Sequence, residues 1–168
     1  YGIKESSPQV DSTEHSAELQ FPFLKYINVE TIATVMVGHT WMDIDFKMIV
    51  DYVNDNKDVV IVVSSDFCHY GPNYQFTLNG DDIDNNTIKE LDMRAFEIIK
   101  RNDVDGFKKY LVDTRNTICG KHPIILAMYL ISVVYSSKGQ WTLLHYSQSS
   151  DLRDSENCVS YLSAAYCL

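Results

Sequence analysis

The chain has 168 residues, 45% of them apolar, with 14 basic against 23 acidic side chains for a formal charge of -9. That length and apolar content suit about one domain with a real core. The negative balance repels nucleic acid and anionic membrane, and no apolar run approaches the roughly 20 residues of a bilayer span, so neither nucleic-acid binding nor membrane insertion is expected.

The opening segment to Thr13 is polar and turn-rich, and Glu14 to Leu19 begins a short helix-like stretch that ends by Pro22. Ile32 to Gly38 reads as a buried strand, followed by a helix over about 41–54 in which Trp41, Ile44, Met48 and Tyr52 recur at helical spacing. The run Val59-Val60-Ile61-Val62-Val63 predicts a second strand, buried on both faces as in a parallel sheet, with Asp66, Cys68 and His69 just beyond its carboxyl end. Strand, helix and strand together form a right-handed βαβ unit. Gly71-Pro72 marks a turn and opens a polar loop over 71–82.

Ile88, Leu91, Ala95 and Ile98 then share one face of a long helix, and Asp103 reads as the N-cap of a shorter one carrying Phe107 and Leu111. Pro123 suits the first position of a third helix running through Leu126 and Leu130 to Val134. Trp141 to Tyr146 and Val159 to Tyr166 read as closing strands around a polar loop. The pattern is α/β: a central mixed, largely parallel sheet flanked by helices, in one domain.

Cys68, Cys119, Cys158 and Cys167 are scattered without a close-spaced pair, which points to free thiols in a reducing, cytoplasmic setting. Asn85-Asn86-Thr87 matches a glycosylation acceptor, a tripeptide common by chance that nothing else supports.

Asp66 and His69, three apart at a strand end, can converge on one ligand, metal or substrate; equally, Asp66 can cap a turn and His69 be a hydrogen-bonded surface histidine. Cys68 between them is expected to point inward. Cys119 immediately precedes a helix start with Lys121 beside it, a setting that stabilises a thiolate ligand or nucleophile, although most isolated cysteines are inert and buried. His15 between Glu14 and Glu18 could face a cleft or only salt-bridge a solvated helix start. His39, at the end of the first predicted strand, has no partner in its local sequence, and His122 and His145 are weaker candidates still.

Four blocks, Glu14-His15-Ser16-x-Glu18, Ser64-Ser65-Asp66-Phe67-Cys68-His69-x-Gly71, Asn116-Thr117-Ile118-Cys119-Gly120-x-His122-Pro123-Ile124 and Tyr146-x-Gln148-Ser149-Ser150, taken in this order resemble the Memo family. The resemblance implies a fold like that of class III extradiol dioxygenases, which use non-heme iron, and a role in receptor-driven cell motility. It also implies that Asp66, His69 and Cys119 line one pocket, with Cys119 matching a metal-binding cysteine. Two further histidine blocks of the family, His-Ala-Gly-Tyr and Gly-Pro-x-His-His, do not occur in this chain, which looks like the C-terminal part of such a protein with an incomplete metal site.

Three functions therefore compete. One is a metal-dependent redox protein in which Cys119, His69 and the two histidines absent from this chain would hold iron or copper, with Asp66 beside them, since thiolate and imidazole suit both metals. A second is an adaptor for receptor phosphotyrosine peptides, a role the resemblance implies but the scattered Arg94, Arg101, Arg115 and Arg153 do not independently support. The third is a cysteine hydrolase with Cys119 as nucleophile, His69 as base and Asp66 as orienter.

Overall fold

The computed structural model describes residues 3–38, 43–56, 58–80, 83–136 and 138–168, and the chain divides into two compact units, 1–64 and 65–168. The first unit contains three short helices, α1 (Pro8–Asp11), α2 (His15–Glu18) and α3 (Phe21–Tyr26), and a longer one, α4 (Asp43–Asp55). Ser7 caps α1 and the Glu14 carboxylate caps α2 by accepting from the Ser16 N–H. In α4 the buried face is Val50 and Val53; Met48 and Tyr52, expected inside, are exposed, while Trp41 lies outside the described residues.

The expected strands at 32–38 and 59–65 are not strands. Ile32, Val35 and Met36 are exposed, and Val60 is 83% exposed. β-branched residues favour extended backbone, but a strand exists only where a neighbour completes its hydrogen-bond ladder, and these runs have none among the described residues. The largely parallel sheet is corrected accordingly.

The second unit is built on a three-stranded antiparallel sheet in the order β1-β3-β2, with β1 at His69–Tyr70, β2 at Gln140–Gln148 and β3 at Cys158–Cys167. β2 and β3 follow one another across a single polar loop, a connection that permits only antiparallel pairing at this length. His69 pairs with Val159 and Tyr70 with Cys158. The Phe67 N–H donates to the Ser160 carbonyl at 2.9 Å and the Ser160 N–H to the Cys68 carbonyl at 2.9 Å, which carries the extended segment back toward Asp66. Asp66 and His69 thus stand at the head of a short antiparallel strand, not beyond a parallel one.

Three helices complete this unit: α5 (Asn85–Lys100) packs on β2 and β3, α6 (Val104–Thr114) packs on α5, and α7 (Lys121–Tyr135) packs on α6. Asp84 and Thr87 form a reciprocal capping box at the start of α5, whose inner face is Ile88, Leu91, Ala95 and Ile99, one residue beyond the Ile98 that spacing suggested. Asp103 caps α6 by accepting from the Gly106 N–H at 2.8 Å. Asp103→Ala should cost about 1 kcal/mol, the usual loss for an N-cap, read as a shifted urea midpoint with an unchanged slope. Helix α7 starts at Lys121, two residues before Pro123, and the proline is tolerated because the first-turn N–H groups have no intrahelical acceptor.

The core of this unit gathers Cys68, Ile88, Leu91, Ala95, Phe107, Ile118 and Met128, each 1% exposed or less. Burial pushes the Cys68 thiol up to about 12, consistent with an inert core cysteine. All four cysteines are free. The side chain of Asn85 is engaged by Gln148, Ser150 and Leu152, so the glycosylation tripeptide is part of the fold's own hydrogen bonding.

Among the described residues, Asp92 is the one carboxylate in this core, and it is wholly buried. Desolvation raises its pKa, opposed by hydrogen bonds from Ser160, Asn116, Tyr146 and the Cys68 backbone. A raised folded-state value means the folded protein binds the proton more tightly than the unfolded chain, so Asp92 favours folding most in acid. Its contribution falls as pH rises from the unfolded value of about 3.9 through the folded one. Asp92→Asn should remove that slope, and denaturant melts of both proteins between pH 4 and 8 should converge or cross in favour of the variant as pH rises.

Candidate metal centre

Local folding explains why the three expected residues meet. Phe67 and Cys68 are buried and fix the segment 66–69 along β3, which leaves Asp66 and His69 toward solvent on either side of them. Ile118 is buried in the same way, which turns its neighbour Cys119 outward just ahead of the Gly120 N-cap of α7. The two segments are laced together: the His69 N–H donates to Thr117 Oγ1 at 2.7 Å, Thr117 Oγ1 donates to the His69 carbonyl at 2.8 Å, and the Gly120 N–H donates to Ser65 Oγ at 2.9 Å.

Across this seam one side-chain donor atom each from Asp66, His69 and Cys119 lies within 4.8 Å of the others. Cys119 Sγ accepts the Asp66 N–H at 3.2 Å, a bond that ties the thiol-bearing loop to the head of β1. His69 Nδ1 lies 3.1 Å from the Thr117 carbonyl, an acceptor only, so Nδ1 carries the proton. In the neutral ring Nε2 therefore offers a lone pair, and it faces Asp66 Oδ2 at 3.6 Å. Two acceptors face each other with a thiol at the third corner, an arrangement that a shared cation or proton satisfies.

Tyr74, on the turn Pro72–Tyr74, meets the His69 ring edge-on with centroids 5.2 Å apart. Tyr161 of β3 has its pKa raised by burial and then by the charge of Asp66. Both tyrosines, and the lacing Ser65 and Thr117, escape sequence reasoning because aromatic and hydroxyl residues at such spacing are ordinary loop and strand residues. Ser65 and Thr117 nonetheless sit inside the two blocks that carry the family resemblance.

The other histidines do different things. His15 is an exposed residue at the head of α2, whose neighbouring Glu14 carboxylate is spent on Ser16, the side chain and then the N–H of which lower the Glu14 pKa. His145 is exposed on β2 opposite Ser163, and His122 is half-buried in the first turn of α7. His39 lies outside the described residues. Two grooves of about 400 and 300 Å³ open elsewhere on this unit, both bordered by Ile83 and Leu152 and neither lined by the three cluster residues.

A thiol, an imidazole and a carboxylate at one solvent-facing seam of a mixed α/β unit define a protein able to offer a compact N, O and S donor set. The model of the family described as Memo-like protein matches residues 2–165, and the chain belongs to this family. It is 32% identical to Protein MEMO1 of Rattus norvegicus and 31% identical to Protein MEMO1 of Homo sapiens, each match covering 95% of the chain and 58% of the relative. A MEMO1 family protein of Schizosaccharomyces pombe is 31% identical over 92% of the chain and 60% of its own length. The chain thus spans about three fifths of the length of the curated relatives it matches.

Proposed function

We propose that Asp66, His69 and Cys119 bind a redox-active transition metal, iron or copper, and that the protein is a metal-dependent, redox-related member of its family. The observation that carries this reading is the convergence of the three donor atoms within 4.8 Å. Bonds of about 2.0 to 2.3 Å to nitrogen, oxygen and sulfur bring tetrahedral ligands to about 3.5 Å from one another. The 3.6 Å between His69 Nε2 and Asp66 Oδ2 already meets that, and a small rotation of the exposed Cys119 side chain supplies the rest. Thiolate and imidazole suit both metals, and the carboxylate adds a donor that iron accepts readily.

Such a metal would supply one-electron chemistry or polarise a bound oxygen ligand. The chain's own part is to hold it: Thr117 orients the imidazole, the Asp66 N–H orients the thiolate, and three donors leave coordination positions open. The extradiol-dioxygenase-like fold and the link to motility signalling that the resemblance implies belong to this same proposal. A cytoplasmic setting is part of it too, since a reducing compartment keeps Cys119 a thiol.

The hydrolase alternative draws less support from the geometry. A triad needs the acid on one imidazole nitrogen and the nucleophile on the other. Here Asp66 faces Nε2, the nitrogen a thiol would need, while Nδ1 is taken by the Thr117 carbonyl. The adaptor alternative would need a free arginine, and Arg153 is already gripped by Asp151, whose carboxyl it holds down at about 2.

Metal should protect Cys119 from alkylation, with Cys167 as an internal reference because it is also exposed. With iron(II) or copper(I) added under anaerobic conditions, the iodoacetamide rate at Cys119 should fall at least about tenfold and recover with a chelator, while Cys167 is unaffected. Peptide mass spectrometry reads both rates. Equal behaviour of the two thiols would remove the support for a metal at this seam.

A further inference from the structure

We propose that Asp92 is a positioning residue for the Asp66, His69 and Cys119 cluster: its buried carboxylate clamps together the two chain segments that carry the three donor atoms. Asp92 sits in the middle of α5, and its Oδ1 accepts two hydrogen bonds, from the Cys68 N–H at 3.2 Å and from Asn116 Nδ2 at 3.2 Å. Cys68 lies between Asp66 and His69, and Asn116 begins the block that contains Cys119. One oxygen atom therefore holds both halves of the seam from beneath.

The second oxygen fixes the carboxylate itself. Tyr146 donates to Oδ2 at 3.0 Å, and its hydroxyl lies 3.0 Å from Oγ of the wholly buried Ser160 and receives Gln148 Nε2 at 3.1 Å. The Asn116 amide is held through Nδ2 alone, between Asp92 and Tyr110, since its buried Oδ1 finds no partner among the described residues. Tyr146, Gln148 and Asn116 belong to family blocks that the metal reading leaves without a task, and this network gives them one.

A carboxylate suits the position because it accepts from several donors at once with no donor of its own to place. A leucine there would strand the buried Cys68 N–H and release Asn116, loosening the seam by the fraction of an ångström that metal ligands feel. Asparagine would keep Oδ1 for both clamped segments and present Nδ2 to the Tyr146 and Ser160 hydroxyls. Residues beyond the ligands that orient them typically change metal affinity by about 10 to 100-fold.

The metal readout rests on the metal reading above, so the test carries a second readout that does not. Cobalt(II) is titrated by its thiolate charge-transfer absorption into wild type, Asp92→Asn, Asp92→Leu and Ile99→Ala, the last a buried residue two turns along α5. Asp92→Leu should bind at least about tenfold more weakly, with Asp92→Asn and Ile99→Ala within about threefold of wild type at a temperature where all are folded. Equal affinities for Asp92→Leu and Ile99→Ala would overturn the clamp. Should wild type bind no cobalt, the metal reading fails by itself, and the iodoacetamide rate at Cys119 relative to Cys167 decides. An altered ratio in Asp92→Leu alone supports the clamp, and an unaltered one overturns it. If Asp92→Leu does not fold, Asn116→Ala, which cuts one arm and leaves the carboxylate, is judged by the same criteria.

Discussion

Cys119→Ser should lower the affinity of the protein for iron or copper at least about 100-fold, a loss of roughly 2.7 kcal/mol, while leaving its stability within about 0.5 kcal/mol of wild type. The two halves of that expectation come from different observations. Cys119 is exposed, so replacing its sulfur by oxygen opens no cavity and strands no buried group. A serine hydroxyl is a hard, poorly ionised donor where a soft thiolate stood, and it is too short to reach the point that His69 Nε2 and Asp66 Oδ2 share. Isothermal titration and a urea melt of the same preparation separate the terms. A variant that keeps its metal would assign the sulfur a role outside the coordination shell.

Gly71→Ala should destabilise the 65–168 unit by about 3 to 5 kcal/mol, the range reserved for backbone strain combined with a core clash. Gly71 has φ of +117°, a conformation that side chains rarely adopt. An added Cβ would meet the Glu156 carbonyl oxygen at 2.2 Å and Asn157 Oδ1 at 2.6 Å. Relief would have to move the 156–157 loop, and Asn157 is the residue whose Oδ1 accepts from the Asn73 N–H at 2.9 Å and so holds the turn that carries Tyr74 against His69. The variant should therefore also lose order at Tyr74, visible as a changed His69 ring resonance. A melting curve superposable on wild type would show that the turn relaxes without cost.

The cluster of Asp66, His69 and Cys119 was more legible in the sequence than the sheet. Asp66 with His69, and Cys119 separately, were marked by residue chemistry next to the Gly71-Pro72 turn and the helix start near Pro123, and their meeting in one pocket was implied by the family resemblance. The helices α5 and α6 and the strands β2 and β3 followed their periodicities. The 32–38 and 59–65 runs did not, because a β-branched stretch states only that its backbone prefers to be extended. Whether it joins a sheet, and in which direction, depends on a neighbour that no local pattern encodes, and here the segment that pairs is 67–70 with β3. Asp92 passed unnoticed because an aspartate inside an amphipathic helix looks solvated. Only the packing shows that its neighbours in space are Cys68, Asn116, Tyr146 and Ser160.

X-ray absorption at the metal edge of the iron- or copper-loaded protein tests the central claim most directly. The expected result is one sulfur scatterer at about 2.3 Å together with nitrogen or oxygen at about 2.0 to 2.2 Å, with the sulfur lost in Cys119→Ser and the imidazole signature lost in His69→Ala. A first coordination sphere of oxygen and nitrogen alone, unchanged by either substitution, would contradict it.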